Sequence, residues 1–196
     1  MSIIVFVEDW NGSYKKASFE AVSYGKQWAL ELGSKVIAIT DAAAPAGELS
    51  AYGADHIIQV ALGATAYGVA NQIKALSEGA SGVVIAGTSM GRSIAPALAA
   101  LADAPLSTNT ISLPLQTAPL QVKRGAFSSK GIETIELTGG LPIISFVPNS
   151  IQIEAQSGDG AVESREAESS ELLEIIGSDF AGGEIALPAA EPVVSA

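Results

Sequence analysis

Three short apolar runs, at residues 2–7, 35–40 and 82–87, do most to limit what this chain can fold into. Each is branched and apolar nearly throughout rather than in alternation. That is the pattern of a strand buried on both faces of a parallel sheet. Parallel neighbours need a crossover between them, and the intervening segments read as helices. Over residues 16–32, small or apolar residues recur at Ala21, Val22, Gly25, Ala29 and Leu32, and Gly33 follows as a stop. Residues 46–53 suit a short helix and 55–60 a weaker third strand. Residues 65–77 carry Ala66, Val69, Ala70, Ile73 and Leu76 on one face, with Thr65 as N-cap. The strand at 82–87 leads into a helix over 93–102, with Ile94, Leu98 and Leu101 inward. Trp28 and Tyr24 share a face of the first helix, and Trp28 reads as core. The alternation predicts an α/β fold with an open, mainly parallel, doubly wound sheet.

The pattern changes after residue 110. Shorter strands near 120–126, 131–137 and 142–147 are separated by turns at 128–131 and at Gly139-Gly140. They read as a hairpin-rich antiparallel extension at the sheet edge. Residues 155–170 are polar, acidic and poor in aromatics, the composition of a mobile linker. Residues 170–176 suit one helical turn. The segment ending in Val193 and Val194 reads as the first strand of a further domain. The expected division is therefore an α/β domain at 1–153, an acidic linker at 154–183 and the start of a second domain at 184–196.

The net charge is −11, and residues 151–196 hold ten acidic side chains against one basic, Arg165. With no concentrated basic face, nucleic acid is excluded as a partner. The chain has no cysteine, which removes disulfide and thiol chemistry and fits a reducing cytoplasm. Its first residues lack the basic and apolar regions of a signal peptide, and no apolar run reaches the roughly 20 residues that span a bilayer.

The sharpest local motif is Gly87-Thr88-Ser89-Met90-Gly91-Arg92-Ser93, placed between a strand and a helix. Gly87, Gly91, Arg92 and Ser93 could cradle a phosphate, with backbone N–H groups and the guanidinium as donors. The same glycines could instead let the helix pack closely on the sheet. Glu8 and Asp9 stand where open α/β sheets place ligands, and they suit either a ribose, a partner subunit or a solvated loop. His56 is the only histidine, so it reads as structural, with no metal site and no catalytic triad. No catalytic residue is expected.

Four stretches together resemble the N-terminal part of the α subunit of electron transfer flavoproteins. They are Ile3-Ile4-Val5-Phe6-Val7-Glu8 with Asn11-Gly12 and the helix around 17–22; the run from Gly87 to Ala100 with Ala104-Pro105-Leu106-Ser107; Lys123-Arg124-Gly125-Ala126-Phe127 before a strand pair; and Leu187-Pro188-Ala189-Ala190 with Val193-Val194-Ser195-Ala196. The resemblance implies a nucleotide-binding α-hydrolase-like architecture and an electron carrier, not an enzyme. It implies a heterodimer with a β subunit. FAD is then held mainly by a following domain, so none is expected on the residues present. Electrons would pass from acyl-CoA and related dehydrogenases, as in fatty acid β-oxidation, to a membrane quinone oxidoreductase. This domain would dock the β subunit beneath a mobile flavin domain, and its 87–93 turn would be a pseudo-equivalent of the β subunit's AMP site. The alternative is a stand-alone adenine-nucleotide-binding module that uses that turn.

Overall fold

The first strand, β1 (Ser2–Phe6), lies between two parallel neighbours and is apolar on both faces. Ile3, Val5 and Val7 join one core layer, and Ile4 and Phe6 the other. This computed structural model describes residues 1–10, 12–63, 65–167 and 176–177. A small hairpin follows, β2 (Asp9–Trp10) and β3 (Ser13–Tyr14), and then α1 (Lys16–Leu32). Gly33 ends α1 in the left-handed region at φ 59°, where glycine avoids the Cβ penalty. Next come β4 (Lys35–Asp41), a 3-10 helix (Ala46–Tyr52), β5 (His56–Val60) and α2 (Ala66–Leu76), which Thr65 caps by accepting from Gly68 N. The chain continues through β6 (Gly82–Ala86), α3 (Ser89–Ala102), β7 (Leu106–Thr110), β8 (Gln116–Thr117), β9 (Leu120–Ala126), β10 (Gly131–Leu137), β11 (Ile143–Phe146) and β12 (Ala161–Arg165).

Ten of these strands form one sheet in the order β10-β9-β7-β11-β6-β1-β4-β5-β12, with β8 paired to β9. The strands from β7 to β12 along that order pair in parallel, and β8, β9 and β10 pair antiparallel. Helix α1 and the 3-10 helix cover one face, where Trp28, Tyr24 and Leu49 sit in one apolar layer. Helices α2 and α3 cover the other through Val69, Ile73, Ile94 and Leu98. The sheet is therefore doubly wound, as its sequence predicts.

Three expectations are corrected. The run at 142–147 is not part of the antiparallel extension: β11 is parallel and central, between β6 and β7, and all four of its residues are buried. A strand covered on both faces is apolar at most positions, and β11 is so at Ile143, Ile144 and Phe146. Strand β7 was not expected, because its inner positions are polar; Ser107 and Thr110 are buried and their hydroxyls bond each other at 2.7 Å. The third correction concerns the linker. Residues 154–165 are tied to the domain: Glu154 N donates to Ser23 Oγ of α1 at 2.9 Å, Lys35 of β4 pairs with Asp159 at 3.1 Å, and β12 pairs in register with β5. An edge strand exposes most of its side chains, which explains the polar sequence. The sheet thus runs on past residue 153. The helical turn expected at 170–176 and the strand expected near the end lie outside the described residues, apart from Ile176 itself.

His56 anchors this edge. Its Nε2 lies 2.9 Å from Glu163 Oε2, and Arg165 Nε lies 2.7 Å from Glu163 Oε1. Arg165, and after it His56, hold the Glu163 carboxyl below the usual carboxylate range. A carboxyl lowered on folding stabilises above its unfolded pKa and stops doing so as pH falls through the folded one. Protection of the β12 amides, taken relative to their intrinsic exchange rate at each pH, is therefore expected to fall on acidification below about pH 4, where carboxylates protonate. A Glu163→Gln variant should lack that dependence. Protection that is insensitive to acid in the parent chain would contradict the assignment.

Candidate functional site at the carboxyl ends of β1 and β6

Open α/β sheets take ligands beyond the carboxyl ends of their strands, at the point where strand order reverses. Here the chain runs outward from β1 through β4 to β5, then returns to β6 on the other side of β1. The reversal falls between β1 and β6. Glu8 follows β1, and Gly87 and Thr88 follow β6.

Helix α3 starts at Ser89, four residues before the expected start, because Thr88 is its N-cap. Thr88 Oγ1 accepts from Gly91 N at 3.0 Å and donates to the Glu8 carboxylate. A hydroxyl has one proton to give and lone pairs to accept, so both contacts coexist. The Glu8 backbone is fixed as well: Ser18 Oγ donates to its carbonyl at 2.6 Å. The carboxylate thereby stands at the positive end of the α3 dipole, which favours negative charge. The chain's own side chain fills the place where a phosphate would be drawn.

Of the four residues expected in a phosphate turn, Gly87 and Arg92 come together, Arg92 Nε donating to Gly87 O at 3.0 Å. Gly91 lies beneath the helix: a Cβ there would stand 1.9 Å from Ala86 O. A Cβ at Gly87 would stand 2.7 Å from Phe146 O. Both glycines are thus required by close packing. Ser93 is exposed and turns back to Ser89 O at 3.4 Å. The Glu8–Thr88 contact spans eighty residues, so local sequence does not disclose it, although Thr88 after a strand is itself a capping signal. Asp9 accepts from Gly12 N at 3.0 Å within the small hairpin, whose Trp10 ring lies 3.8 Å from Lys15 Nζ. Behind it, Tyr14 bonds Thr40 Oγ1 at 3.0 Å, and burial pushes its hydroxyl pKa up. His56 is on β5, beside the edge strand β12 and away from this turn. Among the described residues, no group of three or more His, Cys, Asp or Glu is placed to hold a metal, and no helix is long and apolar enough to cross a membrane.

The model of the electron transfer flavoprotein domain matches residues 3–171, from β1 through β12 and a few residues beyond. The chain belongs to this family. The electron transfer flavoprotein family comprises electron carriers, which work by passing electrons between partner proteins. The matched span contains the whole sheet, including β12. A comparison with curated proteins found no match.

Proposed function

We propose that this chain is the N-terminal domain of the α subunit of an electron transfer flavoprotein, and that it acts as a docking lobe without catalysis of its own. Its partner is the β subunit. The assembled pair shuttles electrons through FAD from acyl-CoA and related dehydrogenases to a quinone oxidoreductase, in the cytoplasm. The family match supports the carrier class. The Glu8–Thr88 contact supports a lobe that holds no nucleotide at this turn. A flavin pyrophosphate or AMP phosphate set at the start of α3 would meet a fixed carboxylate, and like charges at that distance repel. The residues at this turn therefore do not fit a flavin, and FAD is assigned to other parts of the assembly.

The second reading is a stand-alone module that binds an adenine nucleotide through Gly87, Gly91, Arg92 and Ser93. The guanidinium of Arg92 is the feature that favours it, being exposed beside the turn. Titrating the purified chain with FAD and with AMP separates the readings. The docking-lobe reading expects no stoichiometric uptake of either. Saturable AMP binding that is lost in Arg92→Ala would establish the module instead.

A further inference from the structure

On the α3 face of the sheet, β7 and β11 pair in parallel, but their register shifts between Ile144 and Phe146. At the same place Asn109 takes φ 53°, in the left-handed region. Bulges of this kind re-aim side chains next to functional sites. The irregularity accompanies a cavity of about 200 Å³ between α3 and the carboxyl ends of β6, β7 and β11. Arg92, Pro96, Thr108, Asn109 and Ser145 line it.

Ser145 supplies a donor. The residue is 4% exposed and borders the cavity, and its hydroxyl is bonded to no described residue. Its oxygen is not among the sealed, unpaired side-chain atoms of the described residues, so it opens onto the cavity and can bond a ligand group there. A Cβ at Gly87 would stand 3.6 Å from Ser145 Oγ, so glycine there leaves the hydroxyl open to the space. Arg92 supplies charge: its Nε is engaged with Gly87 O, and its terminal amino groups have no partner among the described residues. The Thr108 hydroxyl and the Asn109 amide add donors, and no carboxylate lines the cavity. Pro96 and the neighbouring Ala95 and Val147 add an apolar wall.

We propose that this cavity is a binding site for a short-chain carboxylate, in which Arg92 pairs with the carboxylate, Ser145 donates to it and the hydrocarbon chain lies on the apolar wall. The site is separate from the Glu8–Thr88 contact and does not depend on which subunit this chain is. The test is a titration of the isotope-labelled chain with butyrate, followed by amide NMR at constant ionic strength, with chloride as the control salt. Saturable shifts are expected at Arg92, Thr108, Asn109 and Ser145, with affinity at least tenfold lower in Arg92→Gln and in Ser145→Ala. Arg92 is exposed, so its variant keeps the fold, and a dispersed spectrum verifies that for both. Shifts that stay linear in butyrate, that chloride reproduces, or that survive unchanged in both variants would overturn the proposal. Tighter, Arg92-dependent binding of AMP than of butyrate would overturn it as well.

Discussion

Trp28→Ala is expected to destabilise the chain by about 3–5 kcal/mol, as deletions of large buried rings do. The residue is 1% exposed and belongs to the layer between α1 and the sheet. Its ring lies over Gly82 so closely that a Cβ on that glycine would stand 2.1 Å from Trp28 Cη2. The glycine and the tryptophan are one fitted unit, and alanine leaves a cavity that β6 cannot close. A loss of that size is a large share of the roughly 5–15 kcal/mol that holds a typical domain together. Trp28 Nε1 is buried and has no hydrogen-bond partner among the described residues. An unsatisfied donor costs about 1–3 kcal/mol. Trp28→Phe removes that donor along with part of the ring, so it should cost far less than the alanine variant. Urea unfolding of the two variants checks the pair. Equal losses would show that the packing described for Trp28 is wrong.

Gly91→Ala is expected to be destabilising although it improves helix propensity. In an open helix the exchange stabilises by about 1 kcal/mol. Here the new Cβ would stand 1.9 Å from the Ala86 carbonyl oxygen and 3.1 Å from Ile85 Cγ2. The first of these is backbone of β6, so the start of α3 has to lift away from the strand. Overpacking of this kind costs about 1–3 kcal/mol, and a clash with backbone belongs at the upper end. The lift also separates Thr88 from Glu8. The midpoint of urea unfolding is therefore expected to fall. An unchanged or raised midpoint would mean that the glycine is kept for a ligand and not for packing.

These two sites show what local sequence carries and what it omits. Helix α1 was legible from end to end, because its apolar stripe and the glycine stop at Gly33 are both local signals. Strands β1, β4 and β6 were legible because a strand buried on both faces is apolar at every position. Strand β7 was not, since Ser107 and Thr110 satisfy each other across the backbone and leave no apolar trace. Strand β12 has the composition of a linker because an edge strand has little to bury, and only pairing with β5 makes it a strand. The parallel placement of β11 depends on which neighbours flank it, and spacing alone does not determine that. At the candidate site, the glycine motif was visible and its role was not. Whether Gly91 faces a ligand or the Ala86 carbonyl is decided by tertiary distance. The link from Glu8 to Thr88 joins residues that no window of sequence brings together.

The proposed docking lobe is tested by sedimentation of the purified chain mixed with an electron transfer flavoprotein β subunit from the same source. A one-to-one complex is expected. Two independently sedimenting species at concentrations well above those of the proteins in the cell would contradict it.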